Sequence, residues 1–317
     1  MTADAPRCSV IIPTYNRAPV LRRCLDALAA QNTPPGTMQI IVADDGSTDG
    51  TGDMVKAWAD VAGPDVAYFH QENAGANVAR NAAIRIASAP LLLIINDDTI
   101  AVPGLLAAHL ALHAAHPEPH VAVLGRMTID PSLPPSLFAA LHHDASFAQF
   151  AGRQELGWDA FFTCNLSVKR DFLLRFGLFD ESLRWHEDIE LGERLVPHGL
   201  RLLYCPQALG YHHHLLTEAD YLKIAAREGR SLVQWQARRR AAGVPENAIL
   251  RQALHPAWRH RMADIALNRW TLGPALTVAR TLAPLTPRGA QLLYARIFQR
   301  LKRQAVSREH LACDQKT

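Results

Sequence analysis

The sequence predicts an α/β fold: a Rossmann-like, mostly parallel sheet flanked by helices, followed by a helical C-terminal region. Three observations predict it. Short apolar runs alternate with helical patterns through residues 1–125. Those runs are apolar on both faces, as strands are when helices cover a parallel sheet on both sides. Strand signals then vanish after Thr217, where Arg-rich helical patterns take over.

In order along the chain, Cys8–Thr14 (CSVIIPT) reads as a buried strand, and 20–30 sets leucines at helical spacing. Met38–Asp44 (MQIIVAD) is a second strand and 66–70 a shorter third. Apolar residues recur every three or four positions over 76–87, a helix. Leu91–Ile95 (LLLII) is the fourth strand, 104–115 a helix and 120–125 a further strand. Prolines over 131–135 break the pattern, and the stretch to Trp158 has no clean period, so it reads as a long excursion. A helix over 185–198 and a strand over 200–205 close this part, and helices are expected at 217–242, 246–270, 273–283 and 288–306. The boundaries follow: an α/β domain over 1–214, with halves 1–125 and 126–214, and a helical region over 215–317.

The 317 residues suffice for one large or two modest domains, and 49% hydrophobic with 20% charged residues is ordinary for a globular protein. No apolar run reaches the ~18 residues of a membrane-spanning helix, and the N-terminus lacks the pattern of a secretory signal. Five scattered cysteines without a CxxC pair argue for reduced thiols and a cytoplasmic location. The net charge of +3 conceals an asymmetry: residues 1–214 hold 15 Lys+Arg against 23 Asp+Glu (net −8), and 215–317 hold 18 against 7 (net +11). An acidic site attracts a metal; a basic tail attracts phosphates or an anionic membrane.

In open α/β sheets ligands bind beyond the carboxyl ends of the strands. Three polar clusters stand there: Pro13-Thr14-Tyr15-Asn16-Arg17, Asp44-Asp45-Gly46-Ser47-Thr48-Asp49 and Asn96-Asp97-Asp98-Thr99. A carboxylate at Asp44 or Asp45 can accept a hydrogen bond from a nucleobase N–H; the same residues also read as turn and helix-cap chemistry. Adjacent acids at Asp97 and Asp98 repel unless a cation is near. A hard divalent ion, Mg²⁺ or Mn²⁺, would bridge them to diphosphate oxygens, although a solvated Asx turn has the same composition. Asp188, in His186-Glu187-Asp188, could act as a general base or simply favour the start of a helix. In His212-His213-His214, strand alternation puts His212 and His214 on one face and His213 on the other.

Taken together, the segments VIIPTYNR (10–17), IIVADDGSTDGT (40–51), ENAGANVARNAAI (72–84), LLLIINDDT (91–99), CNLSVKRDFLLRFGLFDE (164–181) and HEDIELGERL (186–195) resemble glycosyltransferase family 2, inverting enzymes of GT-A fold that use nucleotide sugars. The resemblance covers about residues 8 to 214, with the nucleotide-sugar half in 1–125 and the acceptor half in 126–214. It implies that Pro13 and Tyr15 pack around the base and ribose and that Asp45, with Asp44 beside it, recognises the base. It places Arg80 near base or phosphates. Asn96-Asp97-Asp98 fills the family's D-x-D position, with Asp98 the metal ligand and Asp97 the ribose contact. Asp188 matches the base, and His212, six residues after Pro206, matches a metal-binding histidine. Asn96 departs from the D-x-D pattern and leaves one negative charge fewer, so weaker metal affinity is expected.

The implied reaction is a single inverting displacement, dependent on Mn²⁺ or Mg²⁺, from a UDP-linked sugar to a hydroxyl of a glycan or lipid-linked acceptor in bacterial-type glycan assembly. Outside the resemblance, the patterned helix with Arg296, Arg300, Lys302 and Arg303 is compatible with peripheral contact to the inner face of a membrane, or with ordinary helical packing. Two other functions share these features: nucleotidyl transfer, against which VIIPTYNR stands where a Gly-rich basic signature belongs, and non-catalytic nucleotide-sugar binding. Nucleic-acid binding is disfavoured, since no aromatic residues interleave with the basic ones in a recognisable module.

Overall fold

The computed structural model describes residues 6–62, 65–268 and 270–314; positions 1–5, 63–64, 269 and 315–317 lie outside the described residues. In chain order the elements are β1 (Cys8–Thr14), α1 (Ala18–Ala29), β2 (Met38–Asp44), α2 (Thr51–Ala62), β3 (Asp65–His70), α3 (Ala76–Ile86), β4 (Leu91–Ile95), β5 (Thr99–Ala101), α4 (Leu105–Ala115), β6 (Val121–Ile129), α5 (Leu137–Ala139), α6 (Ala145–Ala148), β7 (Glu155–Leu156), β8 (Asn165–Lys169), α7 (Arg170–Phe176), α8 (Glu187–Leu195), β9 (Arg201–His212), α9 (Glu218–Ala241), α10 (Ala248–Leu254), α11 (Trp258–Ala266), α12 (Leu272–Leu282) and α13 (Pro287–Asp314). Contacts divide the chain into two compact units: Met1–Pro134 with His143–His214, and Pro135–His142 with Leu215–Thr317. Residues 135–142, which sequence alone leaves in the 126–214 stretch, thus cluster with the helical unit.

In the first unit the strand order is β3-β2-β1-β4-β8-β6-β9-β5, with β7 on β9. β1 runs parallel to β2 and β4, and β2 parallel to β3. Helices make the crossovers that parallel neighbours require. The carboxyl ends of β1, β2 and β4 therefore open on the same side. Alternate strand residues feed two cores: Ile11, Ile41 and Ile94 pack on the α3 side, and Val10, Ile12 and Ile40 pack with Leu21 and Leu25 of α1. Each such fully buried side chain contributes roughly 1.5–3 kcal/mol.

The second half mixes directions, with β6 and β9 parallel to each other. β8 runs antiparallel between β4 and β6, and β5 and β7 run antiparallel to β9. The sheet is thus mixed, with parallel pairing still covering most of its length. β8 escapes a hydropathy reading because NLSVK places Asn165 and Ser167 in the core. Their partners come from α4: His109 Nε2 bonds Asn165 Oδ1 at 3.0 Å, and Ser167 Oγ bonds His109 Nδ1 at 2.7 Å and His113 Nε2 at 2.8 Å. Burial lowers the His109 pKa to about 4 and that of His113 to about 3, so both rings are neutral.

β6 and β9 both outrun their expected ends. Gly125 pairs with Cys205, but Arg126 pairs with Leu209, so residues 206–208 bulge out. Asn165 Nδ2 pins the bulge by donating to the carbonyls of Ala208 (2.8 Å) and Arg126 (3.2 Å). A Cβ at position 125 would meet Asn165 Nδ2 at 2.2 Å and Ala208 O at 2.5 Å, which reserves the position for glycine. Beyond the bulge β9 continues to His212, opposite Thr99.

The second unit is helical. Thr217 and Asp220 form a capping box at the start of α9, and Trp235 and Tyr294 are buried in its core. A Cβ at Gly229 would meet Lys302 O at 2.3 Å, so glycine lets α9 and α13 approach closely. The expected 246–270 helix is instead α10 and α11, broken before Pro256, with position 269 outside the described residues. No described helix is long and apolar enough to cross a membrane.

Candidate active site

The turns after β1 and β2 are laced together. Asn16 N donates to Ser47 Oγ (2.8 Å), Thr48 N to Asn16 Oδ1 (2.8 Å) and Ala18 N to Asp49 Oδ2 (3.0 Å). Asp49 also accepts from the backbone and hydroxyl of Thr51, at the start of α2. Asn16 adopts a left-handed backbone, φ 51°, and the preceding Tyr15 is 48% exposed. Gly46 (φ 91°) brings the β2 turn close to the next loop, where a Cβ would meet Asn73 N at 2.9 Å.

The result is a crevice of about 420 Å³, lined among others by Pro13, Tyr15, Arg17, Asp45, Arg80, Asp97 and Asp98. The two acids of the β2 turn divide there. Asp45 lines the crevice and accepts from Ala74 N (2.8 Å), Gly75 N (2.8 Å) and Gln71 Nε2 (2.7 Å), so it also shapes the 71–75 loop. Asp44 does not line it: fully buried, its carboxylate accepts from Ser47 N (2.8 Å) and Tyr68 Oη (2.6 Å).

Asp97 and Asp98 follow β4, both buried. Arg17, at the N-cap of α1, spans them with one guanidinium: Nη1 to Asp97 Oδ1 at 2.6 Å, Nη2 to Asp98 Oδ2 at 2.9 Å. Thr14 Oγ1 donates to Asp97 Oδ2 at 2.8 Å. His212 Nε2 lies 3.4 Å from Asp98 Oδ2. Burial pushes the Asp97 pKa up to about 6, outweighing its Arg17 bond, with Asp98 adding to the rise. For Asp98 burial also acts upward, but His212 and Arg17 outweigh it and hold the carboxyl below its usual range. Burial acts to lower the Arg17 pKa, yet the two aspartates raise it. One buried oxygen, Asp98 Oδ1, has no hydrogen-bond partner among the described residues.

A divalent cation would take an anionic oxygen and an imidazole nitrogen of this kind. Asp98, with its vacant Oδ1 and His212 beside it, fits such an ion. Among the described residues no group of three or more His, Cys, Asp or Glu forms a complete cage, so the remaining ligands would come from diphosphate and water.

Asp188 is the second residue of α8, which follows His186, the other non-glycine residue with a left-handed backbone (φ 62°) among the described residues. Its Oδ1 accepts from Ile189 N at 2.8 Å. Burial, then the neighbouring Glu187, raises the Asp188 pKa to about 7. Asp188 is not among the crevice-lining residues, but its neighbour Glu187 lies 3.5 Å from Arg80, which is. Arg80 contributes to the crevice wall while its Nη1 donates to Asn77 Oδ1 (2.6 Å) and lies 3.5 Å from Glu187 Oε1, with the guanidinium over the Phe179 ring. Its buried Nε has no hydrogen-bond partner among the described residues. The histidines follow strand alternation: the His212 and His214 rings lie 5.8 Å apart, and His213 bonds Asp130 at 2.7 Å.

Sequence reasoning did not assign roles to Arg17, Asn73 and Arg184, which also line the crevice. Arg17 had a signal, since it closes the VIIPTYNR segment. Arg184 had none, because only the fold brings it beside Gly75.

The sequence model of glycosyl transferase family 2 matches residues 9–167. Validoxylamine A glucosyltransferase of Streptomyces hygroscopicus subsp. limoneus is 36% identical over 238 residues, 66% of this chain and 52% of the relative. Glycosyltransferase AglE of Haloferax volcanii is 25% identical over 242 residues, 74% of this chain and 75% of the relative. The chain spans about half the length of the validoxylamine A glucosyltransferases it matches, 52% and 56%. Among solved structures, the mannosyltransferase PcManGT from Pyrobaculum calidifontis, in complex with GDP-Man and Mn²⁺, aligns with a TM-score of 0.62 at 24% identity, over 93% of this chain and 86% of that one. TarS 1–349 of S. aureus in complex with UDP aligns with a TM-score of 0.53 at 16% identity, over 96% and 92%. At these identities the structural likeness is one of fold.

Proposed function

Because the chain belongs to glycosyltransferase family 2, we propose that it is an inverting, metal-dependent glycosyltransferase that moves a sugar from a nucleoside-diphosphate carrier, UDP first, to an acceptor hydroxyl. The observation that carries this reading is the convergence of Tyr15, Asp45, Asp97 and Asp98, from three strand ends, on one crevice. Tyr15 offers an exposed ring for stacking a base, and Asp45 keeps acceptor capacity for a base N–H. Asp97 faces the ribose, and Arg80 Nε is a spare donor toward base or phosphate. A divalent cation, Mn²⁺ or Mg²⁺, on Asp98 and His212 would supply charge for the departing diphosphate.

Asp188 takes the proton from the acceptor hydroxyl as that oxygen attacks the anomeric carbon. The bond to the diphosphate oxygen breaks in the same displacement, and the configuration inverts. An oxocarbenium-like transition state, as in glycoside hydrolysis, is expected. The 36% identical relative named for validoxylamine A makes glucosyl donors the first to assay. Purified protein is incubated with UDP-, GDP- and dTDP-sugars, with Mn²⁺ or with chelator, and nucleotide release is followed. Release with Mn²⁺, lost on chelation and restored by added metal, supports the reading; activity indifferent to chelator overturns its metal part.

The acceptor is a glycan or a lipid-linked hydroxyl, reached by a peripheral protein at the inner face of a membrane. Support comes from the second unit, but not from the basic side of α13. There Lys302 pairs with Glu228 (2.7 Å), Arg303 pairs with Asp264 (2.6 Å), and Arg300 donates to Leu267 O (2.9 Å). The contact falls instead on α11, where Trp258, Met262 and Ile265 share one face and are 77%, 56% and 65% exposed. The net charge of +11 over 215–317 suits an anionic surface, and tryptophan suits its interface. Flotation with anionic vesicles, abolished by serine at those three positions, supports this contact; flotation unchanged by the substitutions overturns it.

A further inference from the structure

Asp97 and Asp98 are adjacent, buried carboxylates that need a positive partner. The chain supplies its own. Arg17 grips both with one planar fork, at 2.6 and 2.9 Å, and His212 approaches the same Asp98 Oδ2 at 3.4 Å. Only Asp98 Oδ1 is left over. A divalent ion entering on Asp98 would therefore meet a guanidinium already seated on that carboxylate, and the two cations repel.

The root of Arg17 is fixed, because the backbone on either side of it is bonded to Ser47 and Asp49. Its side chain, by contrast, is 32% exposed and opens to the crevice, so it has somewhere to go. A guanidinium displaced from Asp98 stays beside the place where a diphosphate would lie, and diphosphate oxygens match its fork.

We propose that Arg17 is the built-in counter-ion of the Asp97–Asp98 pair, that it competes with the divalent cation for Asp98, and that it passes to the donor's diphosphate when the cation binds. The inference rests on the metal reading above and adds a regulation to it: metal alone binds weakly, and metal and nucleotide strengthen each other. Arg17 is thus a positioning residue that suppresses a half-assembled site.

The test is binding, not turnover. Mn²⁺ is titrated into metal-free full-length wild type, Arg17→Gln and Arg17→Lys, with free Mn²⁺ read by electron paramagnetic resonance, in the absence and presence of saturating UDP. Couplings between two ligands typically span about 5- to 150-fold. Without nucleotide, Arg17→Gln is expected to bind Mn²⁺ about tenfold tighter than wild type, with Arg17→Lys between them. UDP should tighten Mn²⁺ binding by about tenfold in wild type and by less than about threefold in Arg17→Gln. Circular dichroism establishes that each variant is folded, and Arg17→Lys keeps a charge at the site should Arg17→Gln not fold. Equal or weaker Mn²⁺ binding by the variants than by wild type overturns the inference. Asp98→Asn in the Arg17→Gln background separates the two readings. If Mn²⁺ binding survives that change, or if neither wild type nor Arg17→Gln binds Mn²⁺, the metal reading itself falls and the inference with it.

Discussion

Two acidic pairs lie near this crevice, Asp97–Asp98 after β4 and Glu187–Asp188 at the start of α8, and the protein surrounds them differently. The first pair receives cations: Arg17 bridges both carboxylates and His212 approaches one, which holds Asp98 below its usual range, while burial lifts Asp97 to about 6. In the second pair Glu187 lies 3.5 Å from Arg80, while Asp188 is left to burial and to its like-charged neighbour, which raise its pKa to about 7. The same side chain is therefore given two different environments, which suit the two roles proposed. A carboxylate kept charged can hold a cation and its diphosphate, and one poised near neutrality can take a proton.

The largest effect should come from removing the poised member. Asp188→Asn is expected to lower turnover by ~10²-fold or more, with nucleotide binding nearly unchanged by thermal shift. Turnover near wild type would leave Asp188 as a helix-start acid and break the contrast. Next, Asp98→Asn should cost at least the ~10–100-fold in metal affinity that even outer-shell changes produce. It should also erase the Mn²⁺ dependence of nucleotide-induced stabilisation, read by melting temperature.

The pH profile sharpens the same contrast. A base with a raised pKa is protonated on the acid side, so kcat/KM should fall below about pH 7, by about tenfold per unit at the limit. Burial causes most of that rise and Glu187 part of it, so Glu187→Gln should move the acid limb to lower pH. A limb that stays put would mean that Glu187 does not tune Asp188. The smallest effect concerns a third pair, Asp44–Asp45. Tyr68→Phe removes one bond to Asp44 and should cost about 1 kcal/mol in denaturant unfolding, with kcat unchanged. A large loss of activity would move Asp44 from the fold into the site.

Much of this was legible in one dimension. The bounds of β1, β2 and β4 follow from continuous apolar runs ending in polar turns, and reading those ends as one opening singled out Asp45, Asp97 and Asp98, which line the crevice. The short strands were not legible. β8 hides its core character behind Asn165 and Ser167, whose burial depends on His109 and His113, more than 50 residues away in the chain. Asp44 and Asp45 could not be told apart either, because only Tyr68 and the 71–75 loop decide which of the two carboxylates faces the crevice.

By itself the sequence determined the α/β class, the helical C-terminal region and the identity of the acids at the strand ends, since those depend on local periodicity and turn chemistry. Tertiary structure alone decided which charges meet. Arg17 reaches Asp97 and Asp98 across 80 and 81 positions, and Arg80 reaches Glu187 across 107. The 206–208 bulge precedes the strand end that carries His212 to Asp98. The physical reason is that a carboxylate's role is set by its burial and its nearest charge, and neither is a property of its neighbours in sequence.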